Sequence, residues 1–227
     1  MDMDEVFSEQ PTTSAAALAS RRGLGDWVRT FASKQGWKQR KWREWRLYVH
    51  TGGLVVTGTD GFEVAYDWAT TRALRYYRTV NGGLVDARYT LIDPNGCALN
   101  IGLGTRPFLN RHKEQAGITS LTSGAPFQYP GDWGDYMLRG ITRAQLPGVL
   151  TRIVRGETVA FGPFSASRHG LTDKKRTVAW SEIASFHTNN GFVIFDGHNS
   201  LLAAGPGSAQ DIPNLDLFLN LCEELKG

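Results

Sequence analysis

The sequence predicts a mainly β protein with helices (β+α), arranged as two partly open β-barrels in tandem, each closed by a C-terminal amphipathic helix. Two observations lead to this prediction. Short segments with a two-residue apolar period, separated by turns rich in Gly, Asp and Asn, recur along most of the 227 residues. Several of them recur in the same order in the second half, which indicates a duplicated unit. Antiparallel strands joined by short turns need two packed sheets or a barrel to bury their apolar faces.

The overall composition is that of an ordinary soluble protein, with 41% apolar and 21% charged residues. The formal charge of +3 is too small to indicate a general nucleic-acid binder. Cys97 and Cys222 fit neither a disulfide framework nor a zinc module, and no apolar run is long enough to cross a membrane. We therefore expect a cytoplasmic protein with no metal or cofactor.

The first predicted segment is a flexible acidic tail over residues 1–22. It carries Asp2, Asp4, Glu5 and Glu9 and few large apolar residues. A short helix over 14–22 is its one expected element. The acidic start also has the wrong charge for a secretory signal.

The strands are predicted from the two-residue period and the turns between them. In the first half they lie near 26–33, 43–50, 53–58, 62–67, 71–80, 85–93 and 97–103. In the second half they lie near 158–168, 176–180, 183–187, 192–196 and 200–204. A long connection over 105–139 has no counterpart in the second half, and connections of that length are often functional or mobile.

The repeat rests on three pairs of segments in the same order. They are LYVHTGGL (47–54) with FSASRHGL (164–171), VAYDWATTRAL (64–74) with VAWSEIASF (178–186), and YTLIDPNGCALNIGLG (89–104) with FVIFDGHNSLLAAGPG (192–207). The second pair makes Trp68 and Trp180 equivalent, and we expect both indoles to be buried.

A helix is predicted at the end of each half from apolar residues spaced three and four apart. The first, over 142–155, has the stripe Leu146, Val149, Leu150, Ile153 and Val154. The second, at the C-terminus, has the stripe Leu215, Phe218, Leu219, Cys222 and Leu225.

Seven strands followed by a helix is the arrangement of pleckstrin homology (PH) domains. The chain resembles uncharacterised bacterial proteins with tandem PH-like or GRAM-like domains, in QLPGVLTRIVRGETVAFGPFSASRHGLT (145–172) and IPNLDLFLNL (212–221). The resemblance covers about 23–227 and implies a PH-like domain at 23–156, with the insertion 105–139, and a shorter one at 157–227. It implies binding rather than catalysis.

Motifs of common enzymes are absent, including a phosphate-binding loop, HExxH, GxSxG and CxxC, so we predict no catalytic residue. The five histidines have no metal-ligand spacing and fit strand or turn positions better. The least favoured hypothesis is an enzyme whose site in the insertion uses His112, Asp132 or Asp135.

The most informative local feature is the segment KQGWKQRKWREWR (34–46), which has a net charge of +5 and three tryptophans. Cations could bind lipid phosphates while indoles lie at the membrane interface. In lipid-binding PH domains this hairpin carries a Lys followed by a basic-x-Arg triplet, and Lys34 with Lys41-Trp42-Arg43 resembles that motif. The candidate residues for an anionic ligand are Lys34, Trp37, Lys38, Arg40, Lys41 and Arg43.

Other interpretations of this segment stay open. Trp42 and Trp45 are three residues apart, so in a regular strand they face opposite sides and at least one should be core. The cations could also pair with the acidic tail. Nucleic acid ranks below lipid because the total charge is modest. The first functional hypothesis is a non-catalytic scaffold that binds a protein partner, and the second is peripheral recruitment to anionic lipids at the inner face of the membrane.

Overall fold

The computed structural model describes residues 7–34, 37–80, 83–102, 110–173, 176–189, 191–198 and 202–227. It confirms a mainly β protein with helices. In the part of the chain so described, the strands form four separate sheets and none closes into a barrel.

The first half contains two four-stranded sheets. After helix α1 (Thr13–Arg21), the first sheet is an antiparallel meander of β1 (Trp27–Ala32), β2 (Arg46–His50), β3 (Gly53–Thr57) and β4 (Glu63–Asp67). The second consists of β5 (Arg72–Val80), β6 (Gly83–Ile92), β7 (Cys97–Gly102) and β8 (Ser120–Ser123). Strand β8 is parallel to β7, whereas the other neighbours are antiparallel. Helices α2 (Asn110–Gln115) and α3 (Pro130–Val154) complete this half.

The second half has a similar order, with shorter strands and without counterparts of α2 and β8. Its first sheet contains β9 (Val159–Phe161), β10 (Phe164–Ser167), β11 (Gly170–Thr172) and β12 (Thr177–Ala179). Its second contains β13 (Ile183–Asn189), β14 (Phe192–Gly197) and β15 (Leu202–Ser208), and helix α4 (Leu215–Lys226) follows.

Strand register supports the duplication. Gly53 and Gly170 each follow a two-residue turn directly. Gly53 pairs with Asp67 on the next strand, and Gly170 pairs with Ala179 on its next strand. A Cβ atom added to Gly53 would lie 2.4 Å from a backbone carbonyl oxygen of the neighbouring strand, and one added to Gly170 would lie 2.0 Å from the equivalent oxygen. The same close backbone approach therefore requires glycine at the same step of both halves.

The two tryptophans equated by the repeat follow these pairs directly. Trp68 comes immediately after β4 and Trp180 immediately after β12, and their exposed fractions are 3% and 8%. Each indole belongs to the core of its own half. Both predicted burials are confirmed.

The described residues of the second half form seven strands where the sequence predicted five. The predicted strand near 158–168 is a hairpin of β9 and β10, which turns at Gly162 with a φ of +61°. The sequence also missed the three-residue β11. Such short strands carry too few residues to show an alternating pattern.

The described part of the 105–139 insertion contains regular structure. It holds α2, β8 and the beginning of α3, so the sequence prediction of a long connection is wrong for these residues. Helix α3 begins at Pro130, twelve residues before the predicted start at 142. Residues 130–141 contain three glycines and one proline, which lower the helix propensity of this segment. For this reason the sequence did not predict a helix there.

Helix α3 packs against both halves. Its residues Trp133, Met137, Leu138 and Ile141 belong to the core of the first half. The predicted stripe of Leu146, Val149, Leu150 and Ile153 instead packs against the core of the second half, and Val154 is 73% exposed. The assignment of that stripe to the first half was therefore wrong. A helix of 25 residues is about 37 Å long, enough to reach two cores.

The C-terminal stripe is confirmed and is broader than predicted. Leu215, Phe218 and Cys222 are buried, and Leu219 and Leu225 are half-buried against the same core. Leu217 and Leu221 are buried as well. This face of α4 closes the second half.

Helix α1 lies on the outer face of the first sheet. Thr12 caps it, since the Thr12 Oγ1 atom accepts a hydrogen bond of 3.2 Å from the Ala15 N–H. Ala15 and Ala19 are fully buried against a cluster that includes Tyr48 and Val55. The sequence predicted this short helix but not its packing.

Candidate anionic-surface site

The basic segment 34–46 forms the connection between β1 and β2. The chain enters it at Lys34, whose backbone N–H donates to the Pro126 carbonyl at 2.6 Å. The preceding residue, Ser33, forms an isolated bridge with Phe127. A 3₁₀ helix, Trp37–Trp42, then leads back towards β2. Pro126 and Phe127, which precede α3, therefore hold the beginning of the basic connection in place through backbone contacts.

Two tryptophans fix the end of this connection. Trp45 is buried and stacks on Phe62, with ring centroids 5.0 Å apart. Trp42 is half-buried and meets Trp45 edge-on at 4.9 Å. Gly58 lies against the Trp45 ring, because a Cβ atom there would be 2.4 Å from an indole carbon. The prediction that at least one of the two indoles is core is confirmed, and the core residue is Trp45.

Three predicted cations lie together on the surface of the connection. Arg40, Lys41 and Arg43 are exposed. The Lys41 Nζ atom lies 4.5 Å from the centroid of the Trp42 ring, a cation–π contact that holds the ammonium over the aromatic pair. Lys34 is half-buried. The side chains of Trp37 and Lys38, the other two predicted residues, lie outside the described residues.

Arg46, the last cation of the segment, is paired within the chain. Its Nε atom donates to both carboxylate oxygens of Glu9, at 3.0 and 2.8 Å. Its Nη1 atom donates to the carbonyls of Arg43 and Trp45, both at 3.1 Å. Pairing between the acidic tail and the basic segment therefore occurs at Arg46.

Residues 7–12 contact β1 and β2 at the points where the basic connection begins and ends, and we call these residues the N-terminal strap. The Glu9 carbonyl accepts a hydrogen bond from the Thr30 hydroxyl. Phe7 packs edge-on against Phe31 with ring centroids 5.5 Å apart, and the Arg29 guanidinium lies 4.9 Å from the Phe7 ring centroid. Sequence reasoning missed the strap, although one large aromatic residue inside an acidic tail was a signal for it.

The residues of the enzyme hypothesis do not come together in a described site. Asp132 and Asp135 are both exposed on α3, and the side chain of His112 lies outside the described residues. His50 is buried, and burial lowers its pKa. Within the described ranges, no three His, Cys, Asp or Glu side chains are grouped in a way that could hold a metal ion.

In a comparison with known protein families, residues 115–226 match the model of DUF6585, a family of unknown function. The matched region begins after β7 and includes α3 and nearly all of the second half. No curated protein and no solved structure is significantly similar to the chain. Among the described helices, none is long and apolar enough to cross a membrane.

Proposed function

We propose that this is a non-catalytic binding protein with two PH-like halves in tandem, which attaches to anionic membrane surfaces through Arg40, Lys41 and Arg43. The PH-like assignment is supported by an order that both halves share: a four-stranded sheet, a second sheet that starts with three consecutive antiparallel strands, and then a long helix. The first half differs by having α2 and β8 before its long helix. The membrane assignment is supported by one observation: three cations stand exposed within four residues, on a connection fixed by the buried Trp45.

The strength of such a contact follows from general electrostatics. Each Lys or Arg near an anionic leaflet contributes about 1 kcal/mol, so three cations give a weak, reversible and salt-sensitive attachment of about 3 kcal/mol. Attachment of this kind suits a cytoplasmic protein that reaches the inner face of the membrane. Salt weakens it because the Debye length falls as ionic strength rises.

Vesicle flotation tests the proposal. The protein is mixed with phosphatidylcholine vesicles containing about 30% phosphatidylserine, and its floated fraction is measured at low and high salt. The variant Arg40→Gln, Lys41→Gln, Arg43→Gln should lose binding. The control Arg139→Gln, Arg143→Gln, Arg155→Gln removes the same charge from exposed positions on and just after α3 and should retain it.

Two results would contradict the proposal. One is the absence of any salt-sensitive binding to the anionic vesicles. The other is an equal loss of binding in the two charge-matched variants, because general attraction by net charge would then explain the binding without a site.

A second candidate function is the binding of a protein partner at the edge of β13. It is favoured by a difference between the two halves in what contacts the edge of the second sheet. In the first half, β5 is hydrogen-bonded at its edge by Asn214. Its counterpart β13 pairs within its described sheet with β14 alone, and Ser185 and His187 to Asn189 are exposed. A sheet edge of this kind can accept an added strand.

Site-specific photo-crosslinking in the native cell tests the second candidate. A photoreactive residue at Thr188 should give a discrete protein adduct, whereas one at the exposed Arg143 should not. No adduct at Thr188, or the same adducts at both positions, would remove this candidate.

A further inference from the structure

We propose that Asn95 is a site of spontaneous deamidation, and that Thr119 slows this reaction by holding the turn between β6 and β7 closed. Asn95 is exposed and is followed directly by Gly96. Asn81 and Asn190 are also followed by glycine in the sequence, but of the three dipeptides only Asn95-Gly96 belongs entirely to the described residues. This modification does not depend on the proposed binding function.

The nucleophile of the reaction is the backbone nitrogen of Gly96. This nitrogen attacks the side-chain carbonyl carbon, Cγ, of Asn95, so that a C–N bond forms and the bond between Cγ and Nδ2 breaks. Ammonia leaves and takes with it the proton of the attacking amide. Water then opens the five-membered succinimide ring at either carbonyl, which gives aspartate or isoaspartate. Glycine obstructs this attack least, because it has no Cβ atom.

The fold requires glycine at position 96. Gly96 has a φ of +81°, a left-handed conformation that favours glycine over other residues. A Cβ atom added to Gly96 would also lie 2.4 Å from the carbonyl oxygen of Gly117. The turn therefore depends on the residue that makes Asn95 reactive, and the fold cannot remove this reactivity by replacing Gly96.

Hydrogen bonds to Asp93 oppose the attack in the folded protein. The Gly96 N–H, whose proton must leave during the reaction, donates to the Asp93 carbonyl at 3.0 Å. The N–H groups of Asn95 and Cys97 donate to Asp93 Oδ1 at 2.9 and 2.8 Å. The backbone on both sides of the reacting nitrogen is therefore held in the closed turn.

Thr119, the residue before β8, holds the same dipeptide from the other side. Its Oγ1 atom donates to the Asn95 carbonyl at 3.0 Å, and its backbone N–H donates to the Gly96 carbonyl at 2.9 Å. Reaction in the native protein therefore requires a local opening in which the turn separates from Thr119. The rate of deamidation follows the population of this opened state.

Formation of isoaspartate loosens the edge of the second sheet. Isoaspartate adds a methylene group to the backbone and places a negative charge at the turn. The pairing of β7 with β8 begins at Cys97 and Ser120, two residues after Asn95 and one residue after Thr119. The longer backbone disturbs the alignment of the turn with Thr119, so β8 separates more readily from β7.

Incubation at mildly alkaline pH, followed by peptide mapping, tests the inference. Mass spectrometry measures the fraction of the Asn95 peptide converted to aspartate or isoaspartate in the parent, in Thr119→Val and in the control Thr122→Val. Thr122 is also an exposed threonine, and it lies three residues further on, within β8. Thr119→Val should react about threefold faster than the parent or more, because it loses one hydrogen bond that keeps the turn closed. Thr122→Val should react like the parent.

Two further measurements do not depend on the mass analysis of the variants alone. The Gly96 N–H should exchange with solvent deuterium faster in Thr119→Val than in the parent, by about the same factor as Asn95 reacts faster. The parent should also react faster when it is unfolded in urea than when it is folded. Equal rates in the folded and unfolded parent, or in Thr119→Val and Thr122→Val, would overturn the control by the turn. No conversion of Asn95 even in urea would overturn the site itself.

Discussion

Asn214 forms two hydrogen bonds with the backbone of Ala73, which lies 141 residues earlier in the chain. The Ala73 N–H donates to Asn214 Oδ1 at 2.7 Å, and the Asn214 N–H donates to the Ala73 carbonyl at 2.8 Å. Asn214 is buried and has a φ of +52°, a conformation that Asn tolerates better than most residues. Asn214, the residue before α4, therefore forms hydrogen bonds to the edge of β5 and links the second half of the chain to the first.

The same asparagine contacts the connecting helix. Asn214 Nδ2 donates to the Thr71 carbonyl at 3.2 Å and to Gln145 Oε1 at 3.1 Å. Gln145 Nε2 in turn donates to the Thr71 carbonyl at 2.9 Å. Three segments of the chain therefore meet in one polar network beside the two cores.

Asn214→Ala should lower the free energy of unfolding by about 1–3 kcal/mol, because the Ala73 N–H and other buried groups lose their partners. Asn214→Gly is the matched control: it keeps the positive φ without strain but also lacks the side chain. Urea unfolding should show both variants destabilised, with the alanine variant the less stable. If Asn214→Gly equals the parent in stability, the side-chain network does not stabilise the joint.

Two glycines of α3 should respond in opposite directions to alanine. A Cβ atom at Gly140 would lie 2.7 Å from the Nε1 atom of the buried Trp68, whereas a Cβ atom at Gly148 has no neighbour within 4 Å. Gly140→Ala should destabilise the protein by about 1–3 kcal/mol through overpacking. Gly148→Ala should stabilise it by about 0.5–1 kcal/mol through helix propensity. Thermal and urea unfolding check both values, and a shift of the same sign in the two variants would contradict the helix packing.

Stability should depend on pH through His50. Its Nδ1 atom lies 3.2 Å from the Gly25 carbonyl oxygen. Its Nε2 atom is buried and has no hydrogen-bond partner among the described residues, and desolvation lowers the pKa of the imidazole. The unfolded chain therefore takes up a proton at a higher pH than the folded protein does. The associated stability is fully present above about pH 6.5 and is lost as the pH falls towards the folded pKa of His50.

The variant His50→Asn removes this titration. Urea unfolding between about pH 8 and pH 5 should give a flatter loss of stability for the variant than for the parent. Equal slopes in the two proteins would mean that the imidazole is solvated in the folded state.

The two thiols should react at very different rates. Cys97 is exposed, while Cys222 is buried on α4 and burial raises its pKa well above the usual range of a thiol. Titration with a chromogenic disulfide should modify one thiol of the native protein quickly and the second only after denaturant is added. Cys97→Ser should abolish the fast phase. Rapid reaction of both thiols in the native protein would contradict the packing of α4.

Parts of the fold and of the candidate site could be predicted because their signals are local. The equivalence of Trp68 with Trp180 and the buried stripe on α4 follow from spacing within short segments. The exposed trio of Arg40, Lys41 and Arg43 was recognisable as a charge cluster. The beginning of α3 was missed because Gly134 and Gly140 have low helix propensity. The structure explains both glycines, since the rings of Tyr89 and Trp68 pack against them and leave no space for a side chain.

The sequence alone determined which segments have an apolar face, where the repeat lies and where positive charge is concentrated, because these properties depend on neighbours a few residues apart. The tertiary structure decided which surfaces those faces and charges meet. It placed the second part of α3 on the core of the other half, Asn214 on the edge at Ala73, and Glu9 on Arg46. Pattern and periodicity specify that a face must be buried or a charge paired, but the partner depends on how distant segments pack together in three dimensions.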